Sequence, residues 1–224
     1  MKAIEIPHKQ REHFKKSFLH NVSLMLYLDK DLNIEASMEF MKDRKWELLP
    51  LKEQRMNILH KENRSISIMF MGNIVVIAIS APSYTSFDDI NNIATDITTI
   101  LKSDNIKVVN NMHILKENRY KLKHEQNKGK EWLIETLFSK EFAQSYPAND
   151  ESLSFNTHEY MNTILLKQDQ ENDGIDSLTF RIMTSNYEDV NTEHWHEKIK
   201  MMNENLYDVW RWAISDNVIK MMTK

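Results

Sequence analysis

The sequence predicts an α+β protein of two related halves, each an antiparallel sheet with helices packed on one face, with a long helix at the C-terminus. Two observations predict this class. The longest apolar stretch, residues 66–79, is interrupted by a turn signal at Gly72-Asn73 and leads directly into an amphipathic helical pattern. A weaker set of alternating strands in the second half then precedes a long periodic segment, residues 191–222.

The strongest local signal is the Gly72-Asn73 pair, because glycine and asparagine tolerate the positive φ that tight hairpin turns require. Alternating apolar residues precede the pair, and the arm that follows it, residues 74–79, is apolar on both faces. We therefore expect a central strand. Such a strand is covered either on both sides by its own chain, or by helices on one side and by a partner on the other.

A helix is predicted to follow the hairpin. Ser86 and Asp89 have the spacing of a capping box, with aspartate in the place more often held by glutamate or glutamine. Apolar residues then recur at three- and four-residue steps and share one helical face: Phe87, Ile90, Ile93, Ala94, Ile97, Ile100 and Leu101. Alternation over residues 106–114 predicts the next strand.

Other strands are predicted before the hairpin. Strict alternation of apolar and polar residues over residues 22–28 predicts a half-buried strand, and residues 55–60 are expected to form an edge strand. Residues 34–46 suit either a short helix or a strand, because their apolar positions match both periods.

The predicted domain division rests on a polar stretch of nearly alternating charge. We predict an N-terminal α+β half over residues 1–115, a polar connecting segment over residues 116–130 and a C-terminal α+β half over residues 131–224. Within the second half, residues 153–166 and 178–182 alternate as strands.

The last predicted helix carries the interface prediction. Its apolar residues step by four and three, which is the spacing of a packing seam: Trp195, Ile199, Met202, Leu206, Val209 and Ala213. Trp210 and Trp212 lie off this seam, so the helix needs two surfaces to pack against. Tryptophan and arginine are enriched at protein interfaces. The interface candidates are Met202, Leu206, Trp210, Arg211 and Trp212. The pattern leaves open whether residues 191–222 form one helix or two.

Some of these positions also follow a known order of elements. Gly72 lies in a strand region, Tyr84 and Phe87 lead into the helix that contains Ile90, and the C-terminal region contributes Leu206, Val209, Ile214, Ile219 and Met222. This order resembles a sporadically distributed family of uncharacterised bacterial proteins with two related α+β halves. The resemblance implies that fold and brings no established activity with it.

Composition limits the kinds of site the chain can form. Of its 224 residues 41% are hydrophobic and 28% charged, which is ordinary for a folded domain. The formal charge of −4 gives no general attraction to nucleic-acid backbones. The chain has no cysteine, which excludes disulfides and thiolate metal ligands.

We recognise no secretory signal and no run of about 20 apolar residues, so we expect a cytoplasmic protein. Frequent Asn, Lys and Ile suggest a bacterial or phage source.

No catalytic, metal or cofactor site is predicted. His194 and His196 stand two residues apart, which on a helix directs them about 200° apart. His158 and Glu159, together with His194, could supply a His/His/carboxylate set, but the HExxH motif is absent. Only three glycines occur, and their positions match no phosphate-binding loop.

These patterns favour a non-enzymatic protein-interaction factor, of the adaptor, regulator or immunity type. We expect it to self-associate through its C-terminal helix or to bind another protein, with no membrane partner and no cofactor. The alternative is a metal-dependent hydrolase or nuclease that uses the His/Glu cluster. Nucleic-acid binding would depend on the N-terminal basic arm, which contains Lys9, Arg11, Lys15 and Lys16.

Overall fold

The computed structural model describes residues 3–12, 14, 17–49, 57–61, 65–81, 84, 86–123, 130–146, 152–157, 159–171 and 175–223. These residues form an α+β fold with a ten-stranded antiparallel sheet and six helices, the last of them C-terminal. The α+β class is therefore confirmed. The relatedness of two halves stays a prediction.

The strands are β1 (Leu19–Leu28), β2 (Glu47–Leu49), β3 (Asn57–Lys61), β4 (Ile66–Met71), β5 (Ile74–Ser80), β6 (Val108–Lys123), β7 (Ser152–Thr157), β8 (Tyr160–Glu171), β9 (Ile175–Asn186) and β10 (Val190–Asn191). The helices are α1 (Ile34–Lys42), α2 (Asp88–Ser103), α3 (Lys130–Leu137), α4 (Lys140–Ser145), α5 (Trp195–Ala213) and α6 (Asp216–Thr223). Hydrogen bonds place the strands in the order β2-β3-β4-β5-β1-β6-β9-β8-β7, and β10 pairs with β6.

The chain divides into two compact units. The hairpin unit comprises Asn21–Leu115 and Ser185–Asn203. The terminal unit comprises Met1–His20, Lys116–Thr184 and Glu204–Lys224. Four elements contribute residues to both units: β1, β6, β9 and α5.

The hairpin unit contains the predicted hairpin. Gly72 has a φ of +56° and Asn73 does not have a positive φ, so the positive value falls at the first central residue of the turn, where type II′ turns place glycine. Strand β5 pairs with β4 on one side and with β1 on the other. The prediction of a central strand is therefore confirmed.

Helix α2 forms where the capping signal predicts it. The Asp89 carboxylate accepts the Ser86 N–H at 2.9 Å, and the Ser86 hydroxyl accepts the Asp88 N–H at 3.1 Å. All seven apolar residues predicted to share one face are buried. Local capping and burial of one apolar stripe together account for this helix.

The structure decides two predictions for the residues that precede the hairpin. The ambiguous residues 34–46 begin with helix α1, whose N-terminus is capped by the Asn33 side chain accepting the Ala36 N–H at 3.2 Å. The expected edge strand at residues 55–60 is wrong in one respect: β3 lies between β4 and the short strand β2. The three-residue strand β2 has too few residues to give a periodic signal. Residues 55 and 56 lie outside the described residues.

The terminal unit differs from the predicted strand pattern. Residues 153–166, predicted as one strand, form the hairpin of β7 and β8, in which Thr157 pairs with Tyr160. The two residues between them, His158 and Glu159, carry none of the glycine, asparagine or proline signals that mark a turn. Residues 116–123, predicted to begin the polar connecting segment, instead continue β6. The rest of that segment up to residue 129 lies outside the described residues.

The C-terminal region forms two helices. All six residues of the predicted seam on α5 are buried. The helix ends at Ala213 because the chain around Ile214 forms an isolated β-bridge with Phe138. The Ser139 N–H donates to the Ala213 carbonyl at 2.7 Å and the Ser215 N–H donates to the Leu137 carbonyl at 2.9 Å. Helix α6 then begins at Asp216.

Candidate functional site

The candidate site is one face of the sheet in the hairpin unit. Successive side chains of a strand point to opposite faces. In β1, β4 and β5 one set of side chains is fully buried and the other set is half-buried, in strict alternation. Helices α1 and α2 belong to this unit and bury their apolar sides. We therefore place them against the fully buried set, and we call the half-buried set of β3, β4, β5 and β1 the outer face.

The strand register aligns the outer face into rows. The central row joins four strands and consists of Ile58, Met69, Val76 and Met25. The row nearer the turn joins three strands and consists of Met71, Ile74 and Tyr27. The row on the other side is smaller and more polar: His60, Ser67, Ala78 and Ser23. The apolar side chains are therefore neighbours across strands and form one continuous surface.

The outer face is large and mostly apolar. Strands about 4.8 Å apart, with alternate residues about 6.8 Å apart along each strand, give the three rows a projected area of roughly 400 Å². Exposed apolar patches of this size on monomers are often functional. The central row and the row nearer the turn contain no lysine, arginine, aspartate or glutamate across these strands, whereas the third row continues onto β2 with Glu47, whose carboxylate lies 3.8 Å from the His60 ring. Three of their members are methionines, whose flexible side chains adapt to irregular partner surfaces.

An aromatic group borders the outer face at Tyr27. The His113 ring packs edge-on against Tyr27 at 5.4 Å and against Tyr187 at 5.7 Å between ring centroids. Tyr187 is 56% exposed. The Nδ1 atom of His113 lies 2.8 Å from the Ser185 hydroxyl, and burial lowers the pKa of His113. The border therefore carries a neutral imidazole at pH 7.

The Ser185–His113 pair does not offer a nucleophile to solvent. A serine hydroxyl beside a histidine nitrogen is the first requirement for serine nucleophilic catalysis. Ser185 is only 1% exposed, however, and its hydroxyl lies within the hairpin unit. The pair therefore serves as a buried hydrogen bond that fixes the orientation of the His113 ring.

The structure places the five predicted interface candidates on α5. Met202, Leu206 and Trp210 are buried within the protein's own chain. Trp212 is half-buried, and its ring packs edge-on against Phe142 and Phe155 at 5.6 Å in each case. Intramolecular packing therefore accounts for most of their apolar surface.

The fifth candidate, Arg211, is half-buried and bonds to a carboxylate. Its Nη2 atom lies 3.2 Å from the Glu12 carboxylate. Arg211 and Trp212 together line a cleft of about 380 Å³, which also includes Lys9, Lys140, Glu141 and Asp216. This mixed-charge cleft is the part of the predicted interface that stays accessible.

The N-terminal basic arm is bonded to acidic residues of α5. Arg11 Nε lies 3.0 and 2.9 Å from the two Glu204 oxygens, and its guanidinium stacks over the Tyr207 ring at 5.0 Å. His8 Nδ1 lies 2.9 Å from Asp208, and this hydrogen bond raises the pKa of His8. These two basic groups are therefore paired within the terminal unit. Lys15 and Lys16 lie outside the described residues.

The alternative metal site can be described only in part, because His158 lies outside the described residues. His194 lies 3.4 Å from the Glu197 carboxylate, and the His196 ring hydrogen-bonds to the Asn91 side chain. Among the residues that the structure describes, no three histidines or acidic side chains are grouped so as to hold a metal ion.

A scan of the sequence against known protein families finds no matching family model, and a search of curated proteins finds no significant match. The resemblance noted from the sequence therefore stays a prediction. Across the described residues, the structure contains no helix that is both long enough and apolar enough to span a bilayer.

The outer face escapes the sequence-based interface prediction because tryptophan and arginine guided that prediction. The relevant signal was nevertheless present. In residues 74–79 both alternating sets are apolar, and the opposing set of β4 contains Met69 and Met71. A strand that uses only one face for its own core would carry polar residues on the other.

Proposed function

We propose that the protein is a non-enzymatic interaction factor, of the adaptor, regulator or immunity type, and that it acts as a homodimer. The single observation that carries the proposal is the continuous apolar surface formed by the outer face of β3, β4, β5 and β1, whose central row has no charged side chain on these strands. The proposed occupant of this face is the same face of a second copy.

A second copy fits the chemistry of the outer face. In a two-fold interface each surface meets itself, and residues close to the axis meet their own kind. A charged row would repel its copy, whereas a row of Ile58, Met69, Val76 and Met25 would not. Two sheets can pack face to face at about 10 Å with interdigitated side chains. Burial of two such faces would be favourable by the hydrophobic effect.

This arrangement moves the proposed contact away from the C-terminal helix. The seam of α5 is buried in its own chain, so self-association through that seam would require unpacking. The outer face requires none, because its side chains are already accessible. Self-association through the outer face would therefore leave the packing of α5 unchanged.

A charge placed in the central row tests the proposal. Val76→Lys would bring two ammonium groups into the apolar interface, and their desolvation would break the dimer. Light scattering is expected to give twice the chain mass of 26.7 kDa for the wild type and a single chain mass for the variant. Thr99→Lys, at an exposed position on α2, adds the same charge elsewhere and is expected to leave the dimer intact.

Thermal unfolding of each variant shows whether it is folded. A folded Val76→Lys variant with unchanged dimer mass would overturn the proposed surface. A monomeric wild type would overturn self-association itself.

A further inference from the structure

The N-terminal segment crosses one face of helix α5 in the terminal unit. Residues 8–12, which we call the strap, are neither helical nor part of a strand. Four residues of α5 contact the strap, and their three- and four-residue spacing places them on one helical face. We call this set the strap face: Glu204, Tyr207, Asp208 and Arg211. The strap therefore covers about two turns of α5.

Asp208 bonds to two consecutive residues of the strap. Its Oδ1 atom accepts the Lys9 N–H at 2.8 Å, and its Oδ2 atom lies 2.9 Å from His8 Nδ1. One carboxylate therefore fixes both a backbone group and a side chain at the start of the strap. The His8 side chain is itself 71% exposed, so this contact lies at the protein surface.

The other end of the strap bonds to the remaining residues of the strap face. Arg11 Nε lies 3.0 and 2.9 Å from the two Glu204 oxygens, and the guanidinium stacks over the Tyr207 ring. The Glu12 N–H donates to the Tyr207 hydroxyl at 3.1 Å, and the Glu12 carboxylate accepts from Arg211 at 3.2 Å. The attachment of the strap is therefore mainly polar and ionic.

The strap buries little of its own surface. All five of its residues are exposed. The Arg11 and Glu204 side chains remain 38% and 40% exposed although they are bonded to each other. Ion pairs between exposed groups stabilise weakly, and salt screens them. A segment held in this way opens at a much lower free-energy cost than a buried core.

The chain is held close to α5 on both sides of the strap. Before the strap, the Ile4 N–H donates to the Asn156 carbonyl of β7 at 3.0 Å. After the strap, the Phe14 ring meets the Trp210 ring edge-on, with 5.9 Å between centroids. Neither contact involves a residue of the strap. A strap that has lifted from α5 therefore stays near it and can close again.

We propose that the strap is a reversible cover of the strap face. It lifts from α5 and closes again while the rest of the terminal unit stays folded, and ionic strength sets the open fraction. Opening uncovers Tyr207, which is only 9% exposed beneath the closed strap, together with the carboxylates of Glu204 and Asp208. The outer face lies in the hairpin unit, so this proposal does not depend on the proposed dimer.

Amide hydrogen exchange of the full-length chain, followed by NMR at constant pH, tests the proposal. The reporters are the Lys9 and Glu12 amides, because both donate to the strap face. We expect both amides to exchange more slowly than in an unstructured peptide, yet at least about 100-fold faster than the amides of β5. Raising NaCl from about 0.02 to about 0.5 M should speed both reporters at least about fivefold, by the same factor. The β5 amides report any change in global stability.

Glu204→Gln tests whether the strap opens as one unit. The substitution removes the charge that binds Arg11 and leaves the acceptors of both reporter amides in place. Both reporters should exchange about threefold to tenfold faster at low salt, with a smaller difference at about 0.5 M NaCl. Glu197→Gln is the matched control, because it removes the same charge from an exposed position of α5 outside the strap face. It should leave both rates unchanged.

Four results would each overturn the proposal. They are reporter rates equal to those of an unstructured peptide, reporter rates equal to those of β5, reporter rates that do not respond to salt, and reporter rates in folded Glu204→Gln equal to those of the wild type. If Glu204→Gln does not fold, the salt series on the wild type decides the question.

Discussion

At the scale of single residues, Asn162 organises a buried polar network in the terminal unit. Its Nδ2 donates to the Thr157 hydroxyl at 2.6 Å, and its Oδ1 accepts from Thr184 at 2.7 Å and from Asn205 at 2.8 Å. Asn162 is 0% exposed. Asn205 also accepts from the Thr157 hydroxyl at 2.6 Å and donates to the Thr184 hydroxyl at 3.3 Å, so the four side chains form one connected network that makes the packing of β7, β8, β9 and α5 specific.

Asn162→Ala is expected to lower the free energy of unfolding by about 2–4 kcal/mol, since it removes three hydrogen bonds from a buried network. Urea denaturation measures the change. Asn217→Ala, at an exposed position, should change stability by less than about 0.5 kcal/mol. A loss below about 1 kcal/mol for Asn162→Ala would contradict the importance of the network.

Glu117 provides a pH-dependent contribution to stability. Burial opposes its ionisation, but hydrogen bonds from Arg181 at 2.6 Å and from Arg119 at 3.0 Å outweigh burial and lower the pKa of Glu117. A native pKa below the unfolded value stabilises the fold above the unfolded pKa, about 4.3. This contribution is lost as the pH falls through the lower native pKa.

We therefore expect Glu117→Gln to be less stable than the wild type at pH 7, with the difference shrinking below about pH 4.3. Urea denaturation at several pH values between 3 and 7 measures it. Glu135→Gln, which changes an exposed carboxylate on α3, is the control. A difference that stays constant with pH would show that the arginines do not act through the charge of Glu117.

At the scale of elements, the β4–β5 hairpin depends on Gly72. A β-carbon there would lie 3.2 Å from the Asp31 carboxylate, and the φ of +56° disfavours residues with side chains. Gly72→Ala should cost about 1–2 kcal/mol. Gly72→Asn should cost less, because asparagine tolerates left-handed backbone better than alanine. Thermal unfolding compares the two, and equal losses would show that the contact with Asp31, not φ, dominates.

Periodicity in the sequence was sufficient to predict an element wherever one strong pattern covers that element. The Gly72-Asn73 turn, the capped helix α2 and the buried seam of α5 follow from local spacing alone. The turn between β7 and β8 could not be predicted from local spacing, because its residues carry no turn signal. The extension of β6 through residues 116–123 could not be predicted either, since its frequent charged residues look like a loop in composition.

At the scale of the whole molecule, the proposed contact surface could not be predicted from the sequence. Composition selected Trp210 and Trp212, yet these side chains pack within the chain. The outer face depends on which residues become neighbours across four strands, and strand pairing is not a local property of the sequence. The contacts of the strap with α5 likewise join segments far apart in the chain.

The central claim is that two copies meet through the outer face. Sedimentation equilibrium of the wild-type chain across about a hundredfold range of concentration tests it most directly, because a reversible dimer follows mass action. The account predicts a mass that rises to twice 26.7 kDa and a Val76→Lys variant that stays at the single-chain mass. A wild type that keeps the single-chain mass at every concentration would contradict it.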